Sequence, residues 1–384
     1  EHRRDLRQKT GLSTTTMADR TFHPETLAIH AGQIPDAATG ARALPIYQTT
    51  SFVFDSADHA ASLFNLQTFG NVYSRISNPT VAVLEERVAA LEGGRAALAA
   101  ATGQSAQMVA LLTLCEAGDH IVSASTLYGG TYSQFDFNFR KLGIETTFVD
   151  PDEPENFRRA IGPKTKCLYA ETIGNPRGNV LDIAAVAAIA REAGLPLVVD
   201  NTFASPYLCR PIEHGADIVI HSATKFIGGH GTTMGGLIVE SGRFPWDNGK
   251  FPQMTEPSQG YHGVRFFETF GDFGFTMRAR FETLRTLGPA LSPMNAWLLL
   301  QGLETLHVRM ERHVANAQAV AEFLAAHPRV AWVSHAGLAD SPYHALARKY
   351  LPKGAGAIFT FGIKGGQRAG EKFIESVQFL SHLA

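Results

Sequence analysis

A lysine set among hydroxyls and glycines is the most informative feature of this chain. Lys225 follows Ser222 and Thr224 and precedes two glycines. A lysine amine can join an aldehyde, and neighbouring hydroxyls can bind a phosphate. Because the apolar run Asp217 to Ile220 leads into it, we expect partial desolvation, which favours the neutral amine that attacks aldehydes. The pattern predicts a site for pyridoxal phosphate, although Ser-x-x-Lys alone is common and such a lysine is usually a solvated charge.

An aspartate upstream fits the same cofactor. The apolar run Leu195 to Val199 ends in Asp200. A carboxylate at the end of a buried strand is costly unless it is paired, and a protonated pyridinium nitrogen is a suitable partner. The alternative is a turn or cap at Asn201 and Thr202.

Four further residues are candidates for contacts with the phosphate or the ring. Gly103 and Gln104 open a predicted helix whose free backbone N–H groups would accept a phosphate. Tyr128 follows a strand and precedes two glycines, so its ring could stack on a planar cofactor. Asn175 precedes a proline and follows a strand. Each has an ordinary alternative as a helix start, a half-buried loop tyrosine or a turn residue.

The elements that must position these residues read as an α/β fold. Short apolar runs alternate with helical patterns such as Ile183 to Ala193, which is typical of a mostly parallel sheet covered on both faces. Ligands of such sheets lie outside the carboxyl ends of the strands, where Asn175, Asp200 and Ser222 would converge. The predicted strands are His120 to Ala124, Ile144 to Val149, Lys166 to Ala170, Leu197 to Val199, Asp217 to Ile220 and Gly236 to Val239.

The remaining pattern suggests four parts. Residues 1–16 are a leader or an artificial extension, 17–78 an extended arm that contacts a neighbouring subunit, 79–274 the cofactor-binding domain, and 275–384 a smaller C-terminal α/β domain that is incomplete. Helices are predicted from Val81 to Leu91, Phe275 to Leu287, Asn295 to Ala326 and Ala369 to Phe379, with a strand from Gly356 to Ile363. The stretch from Gly242 to Gly274 is too long for an ordinary connection, which favours a functional role.

Composition excludes several partners. With 34 Lys and Arg against 36 Asp and Glu, the chain offers no basic field for nucleic acid. Its three cysteines lie among apolar neighbours, as expected of reduced core thiols in a cytoplasmic protein. Ligand spacing typical of a metal site is missing from the sequence, and the most apolar stretch, Ala96 to Cys115, is broken by polar residues and does not predict a membrane span.

Five ordered motifs resemble the Cys/Met-metabolism family of pyridoxal-phosphate enzymes, the cystathionine γ-synthase-like group. The resemblance covers nearly everything from Thr26 onward and implies the fold of PLP-dependent aminotransferases (fold type I). The motifs are Tyr73-Ser74-Arg75 with Asn78-Pro79-Thr80, Leu127 to Thr131, Glu171-Thr172 with Asn175-Pro176, Val199 to Thr202, and His221 to Lys225.

The resemblance also implies roles for residues. Lys225 would join the cofactor and act in catalysis, Asp200 would pair with the ring nitrogen, and Tyr128 would stack on the ring and assist catalysis. The phosphate would be bound by Gly103, Gln104, Ser222 and Thr224, with Asn175 also at the cofactor. Tyr73 and Arg75 would reach the cofactor of a neighbouring subunit, in a homotetramer built as a dimer of dimers.

Within the family, the aromatic insertion after Glu240 and the segments around Asn138 and Tyr169 are similar to O-acetylhomoserine sulfhydrylases. This implies γ-replacement of acetate in O-acetyl-L-homoserine by sulfide or methanethiol. Cystathionine γ-synthase, γ-lyase or methionine γ-lyase chemistry stays open, as does a cofactor-binding fragment without turnover. Family members carry the arginine for the substrate carboxylate beyond the segment matching Phe379 to Ala384, and Arg348 and Arg368 do not match its motif.

Overall fold

A seven-stranded sheet is the central layer of the computed structural model, which describes residues 22–383. The strand order is β1-β7-β6-β5-β4-β2-β3, and every neighbouring pair is parallel except those of β7, which runs antiparallel to β1 and β6. The strands are β1 Ala96–Ala100, β2 His120–Ala124, β3 Glu145–Val149, β4 Thr165–Glu171, β5 Leu197–Asp200, β6 Ile218–Ser222 and β7 Gly236–Glu240.

The central strands are apolar because helices cover both faces of the sheet. Val122, Leu168 and Val198 are fully buried, as expected of parallel strands packed on both sides. The helices before the last part of the chain are α1 Pro24–His30, α2 Ala57–Phe64, α3 Pro79–Glu92, α4 Gly103–Leu114, α5 Gly129–Ser133, α6 Glu155–Ala160, α7 Ile183–Glu192, α8 Ser205–Leu208, α9 Pro252–Thr255, α10 Phe266–Phe270, α11 Gly274–Arg278 and α12 Arg285–Leu287. A π-helical turn at Gln134–Phe139 continues α5, and a second one at Ala279–Leu284 joins α11 to α12. Two 3₁₀ turns span Pro211–His214 and Gly271–Phe273.

The C-terminal part forms a smaller layer. It contains α13 Pro293–Glu304, α14 Leu306–Ala325, β8 Val330–Ser334, α15 His344–Tyr350, β9 Thr360–Ile363 and α16 Gly366–Ser376. β8 and β9 pair antiparallel as a separate two-stranded sheet. In the chain from 22 to 383, no helix has the length and apolar character needed to cross a bilayer.

Local sequence explains where the two helices nearest the site begin. Asn78 accepts a hydrogen bond from the Thr80 N–H at 3.0 Å and is followed by a proline, so α3 starts at Pro79. Thr102 and Ser105 cap α4 reciprocally, each side chain accepting from the other residue's backbone N–H, at 3.0 and 2.9 Å. The start of α4 is therefore fixed to within one residue.

The predicted sheet is confirmed, and all six predicted strands are present with shifts of one or two residues at their ends. The helical structure predicted from Asn295 to Ala326 is present, but it forms two helices, α13 and α14, which are separated at Thr305. The strand predicted from Gly356 is shorter, and α16 ends three residues before Phe379. The arm is not fully extended, since it contains α1 and α2. The leader 1–16 lies outside the described residues, and the domain boundaries at 79 and 275 stay predictions.

The stretch from Gly242 to Gly274 folds as a packed aromatic cluster. The Trp246 ring stacks on Phe275 with centroids 5.3 Å apart, and Phe251 packs edge-on against Trp246 at 5.2 Å. All three side chains are buried. This gives the stretch a packing role against α11 and β7, and the functional role expected from its length stays a prediction.

Candidate functional site

Three neighbouring parallel strands end in polar residues at one edge of the sheet. β4 ends in Glu171, β5 in Asp200 and β6 in Ser222, and Glu171 is the register partner of Asp200. These strands are adjacent, so their polar ends share the carboxyl edge where ligands of such sheets bind. The convergence expected from the sequence is thus present for Asp200 and Ser222.

Asp200 is joined to Ser222 through a threonine. Its Oδ1 accepts hydrogen bonds from the Thr202 backbone N–H at 2.9 Å and from the Thr202 hydroxyl at 2.5 Å. The same hydroxyl accepts from the Ser222 N–H at 2.8 Å. These bonds orient the carboxylate and tie the ends of two strands together.

The environment of Asp200 suits a cationic ring. Burial raises the pKa of Asp200 above its ordinary value, which the two Thr202 hydrogen bonds partly offset. Within residues 22–383, no lysine or arginine lies within ion-pair distance of it. Burial has the largest effect on this carboxyl group, with His221 the charge that opposes it, and a protonated pyridinium nitrogen would further relieve the cost of ionisation.

The start of α4 lies directly against Ser222. A Cβ added to Gly103 would lie 2.6 Å from Ser222 Cβ and 2.8 Å from Ser222 Cα. Since the N–H groups of Ser105 and Ala106 already bond to Thr102, those of Gly103 and Gln104 are the ones available to an anion. The helix dipole adds to this preference for a phosphate.

Tyr128 lies beside this helix start. Its ring packs over Gly130, where an added Cβ would lie 2.5 Å from Tyr128 Cε1 and 3.2 Å from Gln104 Nε2. The side chain is 51% exposed, which leaves a face open for stacking. The Tyr128 N–H donates to Glu171 Oε1 at 2.6 Å, so the strand end of β4 holds the tyrosine loop.

Glu171 and Asp200 form a pair of carboxyl groups on adjacent strands. Burial, followed by repulsion from Asp200, holds the pKa of Glu171 well above its usual range. The two carboxyl groups therefore disfavour each other's ionisation, and a cation bound at this edge would favour it. Asn175 lies on the loop after β4, half-buried, at a cis Asn175–Pro176 bond.

Lys225 lies in the turn that follows β6. Its backbone N–H donates to the Ser222 carbonyl at 3.2 Å, and the Thr224 hydroxyl accepts from the Gly235 N–H at 3.2 Å. The side chain of Lys225 is exposed in the single chain. The expected desolvation is therefore not found, because the apolar run before Lys225 packs into the sheet and the lysine lies beyond its end.

Tyr73 and Arg75 lie elsewhere on the surface. They belong to the loop between α2 and α3, both are exposed, and the Arg75 guanidinium carbon lies 4.9 Å from the centroid of the Tyr73 ring. Their described contacts are local, with the Ser51 and Thr50 segment among them. The single chain does not bring them to Lys225.

A second layer of residues supports this edge from within the core. The Asn201 amide donates to Glu92 Oε1 at 2.8 Å, and His221 Nε2 lies 2.6 Å from the same oxygen. Thr172 donates to Asn201 Oδ1 at 2.8 Å. Sequence reasoning missed these roles and that of Glu171. The turn at Asn201 and Thr202, expected as the alternative for Asp200, is present, because the Thr202 N–H and hydroxyl both donate to the Asp200 carboxyl group.

The described part of the chain offers three kinds of group at this edge. They are the Lys225 amine, the Asp200 carboxyl group and the free N–H groups at the start of α4. Residues 22–383 contain no group of three or more His, Cys, Asp or Glu side chains arranged to hold a metal ion.

Similar proteins identify the family and its cofactor. The pattern of the family described as Cys/Met metabolism PLP-dependent enzyme matches residues 25–384. An O-acetyl-L-homoserine sulfhydrylase of Leptospira meyeri is 56% identical over 374 residues, 95% of this chain and 85% of that protein. A homocysteine synthase of Schizosaccharomyces pombe is 53% identical over 94% of this chain and 85% of its own length.

A solved structure agrees with these matches. A Campylobacter jejuni protein assigned as an O-acetylhomoserine (thiol)-lyase superposes with a TM-score of 0.92 at 37% identity, covering 95% of this chain and 91% of its own, and it was solved with N'-pyridoxyl-lysine-5'-monophosphate. The family resemblance and the cofactor predicted from the motifs are confirmed. The chain belongs to the Cys/Met metabolism family of pyridoxal-phosphate-dependent enzymes.

Proposed function

We propose that this chain catalyses γ-replacement on O-acetyl-L-homoserine. Sulfide displaces acetate to give L-homocysteine, or methanethiol gives L-methionine. The Cγ–O bond to acetate breaks, a Cγ–S bond forms, and the thiol proton leaves with the acetate. Relatives that are 56% and 53% identical over at least 94% of this chain bear the names O-acetyl-L-homoserine sulfhydrylase and homocysteine synthase, which supports this assignment.

One observation carries the assignment of residues. Ser222 contacts three groups with separate tasks: the start of α4 at Gly103, the Asp200 carboxylate through Thr202, and the backbone of Lys225. A phosphate, a ring nitrogen and an aldehyde carbon of one small cofactor would require such proximity.

Each residue then has a defined task. Bound pyridoxal phosphate supplies an electron sink for the substrate's α-carbon. Lys225 Nζ holds the cofactor covalently before substrate arrives and then moves protons at the α- and β-carbons. Asp200 keeps the ring nitrogen protonated, while Gly103, Gln104, Ser222 and Thr224 anchor the phosphate. Tyr128, whose ring has an exposed face, would stack on the cofactor ring and take part in catalysis, and Asn175 would contribute to the cofactor site from the loop after β4.

A reduction experiment tests the role of Lys225. Borohydride should fix the cofactor mass on Lys225, as located by peptide mass analysis, and Lys225→Ala should abolish both the trapped mass and homocysteine formation. Lys372→Ala, an exposed lysine on α16, serves as the matched control and should retain both. Trapping on another lysine in the wild-type chain, or wild-type turnover by Lys225→Ala, would refute the assignment.

Product analysis separates the possible reactions. O-acetylhomoserine with sulfide should give homocysteine. Cystathionine formed with cysteine, or a keto acid formed from methionine alone, would indicate the synthase or lyase alternatives instead.

We further infer a homotetramer and a cytoplasmic location. Val53 and Phe69 of the arm are 94% and 75% exposed, which supports burial of this surface against another subunit. The same contact would bring Tyr73 and Arg75 to a neighbouring cofactor. Cys115, Cys167 and Cys209 are buried free thiols, which supports a reducing compartment. Native mass spectrometry tests the assembly: a monomer at micromolar concentration would contradict it.

A further inference from the structure

The turn that carries Lys225 packs on the junction between α13 and α14. A Cβ added to Gly302, in the last turn of α13, would lie 2.3 Å from the Gly228 carbonyl oxygen and 2.4 Å from that of Ile227. Backbone therefore touches backbone at this point, and the turn cannot move independently of the helix junction.

Arg309, on the first turns of α14, bonds to this turn from the other side. Its Nη1 donates to the Phe226 carbonyl at 2.8 Å, and its Nη2 donates to the carbonyls of Gly302 at 2.6 Å and Ile227 at 3.4 Å. Its Nε donates to the Thr305 hydroxyl at 3.2 Å. One guanidinium thus links the two residues after Lys225 to the end of α13.

Among residues 22–383, Arg309 forms no ion pair with an acidic side chain. Burial lowers the pKa of the Arg309 guanidinium, and within residues 22–383 no carboxylate contributes to that shift. A half-buried cation held by carbonyl groups alone costs desolvation energy that an ordinary surface ion pair does not. Its planar set of donors matches carbonyls that point in several directions, which a lysine cannot do.

Gly229 also depends on the same contact. Its φ is +70°, and an added Cβ would lie 2.2 Å from Arg309 Nη1. The second glycine after Lys225 therefore provides both a left-handed turn and the room for the guanidinium. The glycine pair and Arg309 form one structural unit, although about 80 residues separate them in sequence.

We propose that Arg309 is a positioning residue for Lys225, an inference that rests on the proposed role of Lys225. By fixing the carbonyls of Phe226 and Ile227, it holds the backbone from which the lysine amine reaches the cofactor. Misplacement of a reacting group by about 1 Å can cost on the order of 100-fold in rate. Loss of Arg309 should therefore act on steps that use Nζ and spare substrate binding.

The test uses the full chain loaded with pyridoxal phosphate. Arg309→Met should lower kcat at least tenfold and leave KM for O-acetylhomoserine within about threefold. Hydroxylamine, which competes with the lysine for the aldehyde, should release the cofactor at least tenfold faster. Arg309→Lys keeps the charge but not the donor geometry, so it should fall between Arg309→Met and the wild type. Arg312→Met, an exposed arginine one helical turn further along α14, should match the wild type.

The outcomes separate this proposal from the proposed function. If wild-type protein traps the cofactor on Lys225 but Arg309→Met equals it in kcat and release rate, the positioning role is wrong and the function stands. If the wild type traps nothing on Lys225, both are wrong. A purely structural role would lower the melting temperature while leaving kcat and release by the folded protein unchanged. If Arg309→Met does not fold, Arg309→Lys decides: a fall in kcat without a change in KM supports the role, and wild-type kcat refutes it.

Discussion

Replacing Gly103 with alanine should weaken cofactor binding through a steric effect that the structure quantifies. The new Cβ would lie 2.6 Å from Ser222 Cβ, while ordinary contacts begin at 3.4 Å, so the two elements must separate by about 0.8 Å. Gly103 does not have a positive φ, and the cost is therefore steric rather than conformational. Overpacking of this kind typically costs about 1–3 kcal/mol.

The start of α4 should move more than the end of β6 when the two elements separate. Ser222 ends a strand held on both sides by β5 and β7, whereas the first residues of α4 make no sheet bonds. The displaced N–H groups of Gly103 and Gln104 would then lose alignment with the phosphate. A hydrogen bond to a charged group contributes about 1.5–3 kcal/mol, so losing one raises the Kd for pyridoxal phosphate roughly 10- to 100-fold.

An absorbance or fluorescence titration with pyridoxal phosphate measures this Kd directly. Gly162→Ala is the matched control, because a Cβ there meets nothing within 4 Å and its φ is not positive. Thermal melting of the cofactor-free chains checks the accompanying loss of stability. If Gly103→Ala binds the cofactor with wild-type affinity, the helix start does not anchor the phosphate and the steric reasoning fails.

Two further changes test the core beneath the site. Asn201 makes three hydrogen bonds in the core, so Asn201→Leu should lower the free energy of unfolding, measured by urea titration, by about 3 kcal/mol or more. Thr172→Val removes only one of these bonds and should lower it by about 1 kcal/mol. Equal losses in the two variants would contradict this network. Burial raises the pKa of Glu240 from 4.5 to about 7. Between these two pH values, the folded chain holds a proton that the unfolded chain has released, so the free energy of unfolding falls as the pH rises. The free energy of unfolding should fall by about 3 kcal/mol across that window, as measured by urea unfolding between about pH 5 and about pH 8. This fall should be absent in Glu240→Gln. An unchanged pH dependence in the variant would show that another group titrates.

Features encoded in short segments could be predicted from the sequence. β4, β5 and β6 are largely buried, so each contains a short apolar run, and each strand ends in a polar residue at the ligand edge. The start of α4 follows from Thr102 and its capping partner. Asp200 and the segment proposed to bind the phosphate could thus be located from the sequence.

Features that depend on distant partners could not be predicted. β1 consists of four alanines and a leucine, a composition that favours helix, and it becomes a strand because it pairs with β7. Arg309 lies in an ordinary helical pattern, and its contact with the Lys225 turn exists only after α14 packs there. The exposure of Lys225 could not be predicted either. The apolar run before it shows that a strand is buried, but not how far beyond the sheet the following turn places Lys225.

The proposed tasks of the site are anchored on separate elements, and this allows their effects to be distinguished. Lys225 depends on the α13–α14 junction through Arg309, Asp200 depends on β5 and Thr202, and the phosphate site depends on α4. Ser222 contacts all three, but each has its own support in the core. A change at Arg309 should therefore alter kcat and cofactor release with little effect on phosphate affinity, whereas Gly103→Ala should alter affinity first. If both variants changed the two quantities in the same proportion, the edge would move as one rigid unit, and the assignment of separate supports would be wrong.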